Sequence, residues 1–251
     1  MNSSSAAKHF FPPVFENNPQ NPDVFGGLIC EVTKKGNTVG KYHIKIHLGI
    51  SRSAKHHQNV DLGEIFVYKL LDLIKVGPTV HFLPNIQKSR FGLYIATEDV
   101  KGFRQRSDIQ KMNDREKLKC ELLSNILILT DLHSENYGID GEGNLSIIDF
   151  QLGALHRGTK RMEKYMKDNM KYRTQIVEFI KLWNFPKVFD SADSEITNQK
   201  ELMAKRNIGR QSSDEYLAYL KQIKENVSVV LASNHDEDNT EPSPAKIQKI
   251  Q

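Results

Sequence analysis

Cysteine is scarce in this sequence. Cys30 and Cys120 are the only two among 251 residues, they stand far apart, and no CxxC occurs. Such spacing supplies neither a disulfide framework nor a zinc cage, and a reducing, cytoplasmic setting is the simplest expectation. Nuclear residence stays open, because Lys246 and Lys249 are too few to argue for it. Long apolar runs are missing as well. No stretch approaches the roughly 18 apolar residues of a membrane-crossing helix, so no membrane span is expected. Met1–Ala7 is polar and has no apolar h-region, so no signal peptide is expected. Asn226-Val227-Ser228 is therefore discounted as a glycosylation acceptor. No charge of one sign dominates: 35 Lys and Arg against 31 Asp and Glu leave +4. That excess suits a phosphate-bearing ligand but does not call for a nucleic-acid partner. The nine histidines show no metal-ligand spacing, and His56-His57 reads as a polar loop. No internal repeat is present.

What the sequence does contain is a change of period along the chain. Residues 1–23 are rich in Ser, Asn and Pro and read as a flexible arm. Leu28–Val32 and Thr38–His47 alternate around a turn at Lys34–Asn37, the pattern of a β-hairpin. From Asn59 to Val76 apolar residues recur at helical spacing, and Gly77-Pro78 ends the run. Two short strands are predicted at Thr79–Phe82 and Gly92–Ala96, then a polar connection over 101–112. A second helix is predicted from Asn113 to about Leu129, with Asn113 and Glu116 at capping-box spacing. Tyr137–Ile139 and Leu145–Ile148 flank a turn at Asp140–Asn144. Helical patterns return at about 159–183 and 213–231, the latter opened by Ser212 and Glu215 at capping-box spacing. Residues 233–251 are polar and read as a disordered tail. Strands with one helix, followed by mostly helices, predict an α+β protein of two unequal lobes, 24–100 and 101–232.

The chemistry concentrates in Thr130-Asp131-Leu132-His133-Ser134-Glu135-Asn136, followed by Ile147-Ile148-Asp149-Phe150. A symmetric hairpin centred between Glu142 and Gly143 would set Asn136 opposite Asp149, with Cα atoms about 4.5–5.5 Å apart. Asp131 lies five residues before Asn136. Three hard oxygen donors at one sheet end suit Mg2+, which takes carboxylates, water and phosphate oxygens. His133 reads first as a hydrogen-bonding residue of its loop. Residues 156–173 carry Arg157, Lys160, Arg161, Lys164, Lys167, Lys171 and Arg173 against Glu163 and Asp168. A solvated helix face is the simpler reading of that segment, and an anion-binding surface the alternative.

The run D-x-H-x-x-N followed by I-I-D-F resembles the catalytic and metal-binding segments of the protein-kinase-like superfamily. Its D-x-H-x-x-N form is closer to aminoglycoside and choline phosphotransferases than to ordinary protein kinases. Tyr42-His43-Ile44-Lys45 resembles that superfamily's V-A-I-K strand. Glu64 follows Lys45 by 19 residues, inside the next helix. Leu93–Val100 resembles the strand that enters the adenine-holding hinge. The resemblance covers residues 25 to 153. It implies a bilobal fold, with a small β-rich N-lobe carrying one helix and a mostly helical C-lobe, and it implies ATP and Mg2+ as cofactors. By the same resemblance Lys45, oriented by Glu64, holds the α- and β-phosphates. Asp131 accepts the proton of a substrate hydroxyl, and Asn136 and Asp149 ligate Mg2+. Glu98 and Val100 offer backbone groups to adenine, Thr97 stands at the gatekeeper position, and Gly26 and Gly27 belong to the phosphate loop.

The sequence also departs from that family. Asn21–Gly27 keeps only the final glycines of G-x-G-x-x-G, which leaves fewer backbone N–H groups to cradle phosphate. His43 replaces the small residue that adenine packs on. Leu129-Thr130 stand where H-R-D has His and Arg, Gln151 stands where D-F-G has Gly, and no A-P-E follows. These differences speak against an ordinary protein-Ser/Thr kinase. Two functions remain: an ATP-dependent phosphotransferase acting on an alcohol acceptor (small molecule, lipid or atypical protein substrate), and a pseudokinase that serves as a binding or scaffold module for a protein partner. The acceptor itself is not legible, since residues 154–232 resemble no known acceptor-binding segment.

Overall fold

The alternating run that opens at Leu28 forms a hairpin, β1 (Leu28–Lys34) with β2 (Asn37–His47). In the computed structural model the described residues are 28–34, 37–47, 61–84, 93–109, 112–155, 159–205 and 213–233. The arm at 1–23, Gly26 and Gly27, His56-His57, the Ser212 end of the second capping box and the tail beyond residue 233 lie outside them. Two further strands, β3 (Val80–Pro84) and β4 (Leu93–Glu98), complete an antiparallel sheet of order β1-β2-β4-β3. Its register sets Lys45 opposite Ile95 and His43 opposite Thr97.

Between β2 and β3 runs α1 (Leu62–Leu73), shorter at both ends than its apolar pattern. Asp61 is the N-cap: its Oδ1 accepts from the N–H of Gly63 at 2.9 Å and of Glu64 at 3.1 Å. The helix also stops before Gly77. Lys75 takes φ 58°, its N–H donates to the Asp72 carbonyl, and the Val76 N–H donates to the Leu71 carbonyl. That pair of bonds is a Schellman ending, built here on a lysine in the place glycine usually fills.

The connection at 101–112 is not featureless. It contains β5 (Arg104–Gln105) and a 3-10 turn at Arg106–Asp108, and β5 pairs with β7 (Tyr137–Ile139). Only glycine permits that approach at position 138, where a Cβ would stand 1.9 Å from the Arg104 carbonyl oxygen. Helix α2 (Asp114–Ile126) is capped by Asn113, but the expected capping box does not close. Glu116 turns inward instead and accepts from the N–H of Leu145 at 2.8 Å, at the start of β8 (Leu145–Ile147). Leu129 is not helical. It opens β6 (Leu129–Thr130), which pairs with β9 (Gln151–Leu152).

The predicted helix at 159–183 divides into α3 (Lys160–Asp168) and α4 (Arg173–Leu182), with a 3-10 turn at Met170–Tyr172 between them. A 21-residue helix that the sequence pattern missed, α5 (Phe185–Lys205), comes next, and α6 (Ser213–Ala232) follows. Asn226 is buried on α6, with its amide donating to the Ile126 carbonyl at 3.0 Å, so it presents no acceptor for a glycan. The α+β class stands: small antiparallel sheets and, among the described residues, six α-helices. One apolar cluster runs from α1 through α2 and β8 to α6. Helix α1 lies inside it, contacting β3 as well as α5 and α6.

Candidate functional site

Strand β2 and helix α1 bring Lys45 and Glu64 together. Lys45 Nζ lies 3.0 Å from Glu64 Oε1 and 3.0 Å from Asp149 Oδ1. The lysine side chain keeps 32% of its accessibility, Glu64 18% and Asp149 52%, so the cluster opens to solvent on the Asp149 side. Two carboxylates around one ammonium fix its charge. Burial pulls the Lys45 pKa down, but Glu64, Tyr68 and Asp149 push it up by more, and it stands well above the ordinary lysine range.

Asp149 is held by its own surroundings. Phe150 is buried next to it, and its N–H donates to Asp149 Oδ1 at 2.9 Å. The Phe150 ring lies 4.5 Å from that of Tyr68. Tyr68, one turn beyond Glu64 on α1, donates its hydroxyl to the same Asp149 oxygen at 3.0 Å. Lys45 Nζ lies 4.7 Å from the centre of the Tyr68 ring, within cation–π range. Burial raises the Tyr68 pKa, with Asp149 and Glu64 adding to the shift against Lys45, so the phenol stays a proton donor. Tyr68 belongs to no motif in the sequence that marks it for chemistry. The signal available was its place on the helical stripe of Glu64, Val67 and Leu71, where an aromatic with a polar tip can face a charged pair.

Asp131 and Asn136 form the second half of the site. The β6–β9 pairing of Thr130 with Gln151 joins the segment that Asp131 opens to the segment that carries Asp149, two residues before Gln151. Asp131 adopts φ 59° and is exposed, and its carboxylate makes no hydrogen bond or ion pair among the described residues. A non-glycine residue in the left-handed region costs free energy, and such strain gathers at functional positions. The Asp131 carbonyl accepts from Asn136 Nδ2 at 2.8 Å. His133 is a loop residue, its Nδ1 accepting from the Glu135 N–H at 3.3 Å.

The hairpin register corrects one expectation. Tyr137 pairs with Ile147 and Ile139 with Leu145, so the turn is centred on Glu142 and Asn136 faces Ile148 rather than Asp149. The cause is a five-residue turn, 140–144, in which Asp140 Oδ1 accepts from the N–H groups of Glu142 and Asn144 while Gly143 takes φ 88°. The Asn136 carbonyl still accepts from Ile148 N at 2.9 Å and from Asp149 N at 3.3 Å, which keeps the two residues adjacent. As a cation site this donor set has a clear character. Asn136 commits its amide nitrogen to Asp131 and retains Oδ1, and Asp149 retains Oδ2. No group of three His, Cys, Asp or Glu that could hold a metal occurs among the described residues. Two hard oxygens without a full protein cage fit Mg2+ held jointly with phosphate, and do not fit zinc.

At the C-terminal end of β4, an inner strand of the sheet, the expected hinge residues have these positions. Thr97 donates Oγ1 to the His43 carbonyl at 3.4 Å. The Glu98 N–H donates to the Thr79 carbonyl, and its carboxylate meets His81 at 3.1 Å. The Val100 carbonyl accepts from the Phe103 N–H, while the Val100 N–H makes no backbone hydrogen bond among the described residues. His43 Nε2 lies 2.8 Å from Asp99 Oδ1, and Lys41 Nζ 3.4 Å from the same oxygen. The bond from His43 chiefly holds the Asp99 carboxyl below its ordinary range, with Lys41 adding to it against a burial penalty. Gly26 and Gly27 fall outside the described residues.

The basic segment behaves mainly as a solvated face. Lys160, Lys164, Lys167 and Lys171 are exposed, whereas Arg161 donates to Asn125 at 2.8 Å and Arg173 is buried. A groove of about 650 Å3 lies beside α6, lined by Asp193, Leu217, Leu220 and Lys224 among others, and none of the residues around Lys45 lines it. No helix among the described residues is long and apolar enough to cross a membrane. No family model matches the chain, and no curated protein matches it.

Proposed function

We propose that the protein is an ATP- and Mg2+-dependent phosphotransferase of bilobal, protein-kinase-like architecture, with lobes at 24–100 and 101–232, that phosphorylates an alcohol acceptor. The observation that carries this reading is Lys45 at 3.0 Å from both Glu64 and Asp149, one carboxylate from the helix after it and one from a loop 104 residues further on. A lysine so fixed is a charge preorganised for phosphate oxygens, and phosphoryl transfer is catalysed mainly by positioning and charge stabilisation. Asp131, exposed and strained, accepts the acceptor's hydroxyl proton as its oxygen attacks the γ-phosphorus and ADP departs. Asn136 and Asp149 would hold Mg2+, which supplies neutralising charge to the phosphates. The Val100 N–H and Glu98 carbonyl are the backbone groups for adenine, beside Thr97. Acceptor candidates are a small molecule, a lipid or an atypical protein substrate, in a cytoplasmic setting.

A second reading, a pseudokinase acting as a binding or scaffold module, draws on a different observation. By the family resemblance His43 would stand where adenine packs, and its 2.8 Å bond to Asp99 holds it beside the expected hinge. Thermal unfolding with and without saturating ATP and Mg2+, for the wild type and Asp149→Ala, separates the two readings. Ligand at 100 times its dissociation constant adds about 2.7 kcal/mol, which for a chain of this size is about 5–10 °C. A Mg2+-dependent rise that Asp149→Ala abolishes supports the nucleotide site. The absence of any rise in the wild type removes it and leaves the scaffold reading.

A further inference from the structure

We infer that Tyr68 is a positioning residue for the Mg2+-bearing carboxylate: its hydroxyl sets Asp149, while its ring seats Lys45. This rests on the phosphotransferase reading above. Three contacts converge on the one side chain. Its hydroxyl donates to Asp149 Oδ1 at 3.0 Å, Lys45 Nζ lies 4.7 Å from its ring centre, and Phe150 packs on it at 4.5 Å. Tyr68 is itself 3% exposed and follows Glu64 by one helical turn, so α1 delivers the partner of Lys45 and the partner of Asp149 from a single face.

Each part of the side chain has its own task. Asp149 is half exposed, so the orientation of its carboxylate depends on the donors that meet Oδ1, and of these Tyr68 is the neutral side chain. The hydroxyl, the Phe150 N–H and Lys45 Nζ all bind Oδ1, which leaves Oδ2 as the oxygen for a cation. A neutral donor suits this purpose better than a second lysine would, because it orients the carboxylate without adding a charge that repels the metal. The ring acts separately, presenting a π face to Lys45 and covering Phe150 from solvent. Tyr68→Phe therefore removes the orienting bond and keeps the packing.

The test is the dissociation constant of ATP, measured by calorimetry with and without Mg2+, for the wild type and Tyr68→Phe. The ratio of the two constants reports the metal's contribution. Loss of one hydrogen bond to a charged group should lower that ratio about fivefold or more, with Mg2+-free affinity unchanged within about twofold. A merely structural role would weaken both constants alike or neither, and an unchanged ratio overturns the inference. If the wild type binds no ATP, the nucleotide reading fails and the inference falls with it, an outcome distinct from wild-type binding with an unaltered Tyr68→Phe ratio. A ligand-free measurement runs beside it: urea unfolding of Tyr68→Phe, Asp149→Ala and the double variant. The double variant should lose less stability than the two single losses added together, since one bond is counted in both. Strict additivity overturns the inference.

Discussion

A buried carboxylate is tolerable only when both of its oxygens are used, and Glu116 meets that condition. It is 6% exposed, with Oε2 accepting from the Leu145 N–H and Oε1 beside Lys119, each at 2.8 Å. It thereby joins α2 to the strand that leads to Asp149. Glu116→Ala strands a buried N–H and a half-buried lysine, and should cost about 3 kcal/mol in urea unfolding. Glu116→Gln keeps an acceptor for Leu145 and should cost clearly less; equal losses would mean that the Leu145 bond contributes little. The same residue marks the limit of sequence reading at this scale. Its spacing from Asn113 fits a capping box, and spacing cannot tell an outward glutamate from an inward one. Lys45 and Glu64 were legible through the likeness of Tyr42–Lys45 to a V-A-I-K strand and the 19-residue separation from Lys45 to a glutamate on the next helix. Tyr68 was not, because a tyrosine on an apolar stripe looks like core until its hydroxyl has a partner. The His43–Asp99 bond was hidden for a related reason: it joins two residues 56 positions apart whose types are common on any surface.

At the scale of elements, boundaries were the part least legible, and the cause is a recurrent one. Three helices end with a non-glycine residue in the left-handed region: Lys75 after α1, Ile128 after α2 and Asn184 after α4. Glycine at such a position is the usual stop signal. Without it the apolar run Leu127-Ile128-Leu129 reads as more helix, although Leu129 belongs to β6. Lys75 offers a direct check. Lys75→Gly removes the clash of Cβ in the left-handed region at the cost of a more flexible unfolded chain. The ion pair it gives up is weak, since the Lys75 side chain is 79% exposed and Asp72 keeps Lys69. The expected gain is about 0.5–1 kcal/mol, measured as a raised urea midpoint with an unchanged slope; a lowered midpoint would count against the Schellman account. Helix α5 escaped for another reason. Its buried residues Phe185, Phe189, Ala192 and Ile196 keep helical spacing, but they are diluted by polar neighbours, and a proline such as Pro186 is a poor helix former. Proline is tolerated in the first turn of a helix, and that is where it stands.

For the whole molecule, the α+β class followed from the order of strand and helix periods, whereas the packing partner of α1 did not. No local pattern says that the helix carrying Glu64 and Tyr68 is covered by chain more than a hundred residues later. Yet Phe66 of α1 meets Phe189 of α5 edge-on at 4.9 Å and Tyr216 of α6 at 6.1 Å. The residues that orient Lys45 and Asp149 are thus seated on the C-terminal helices, and the core passes without a break from one expected lobe into the other. A continuous core unfolds as one unit. Phe189→Ala opens a cavity against a fully buried Phe66 and should cost about 3–4 kcal/mol, lowering the melting temperature by about 10 °C. Because the cavity lies under α1, calorimetry should still record one transition, displaced as a whole. Two separate transitions, with only the later one displaced, would mean that the sheet and α1 fold apart from the helices. In that case the placement of Glu64 and Tyr68 would have to come from the sheet side alone, through β2 and β3, and the C-terminal helices would have no part in setting the site.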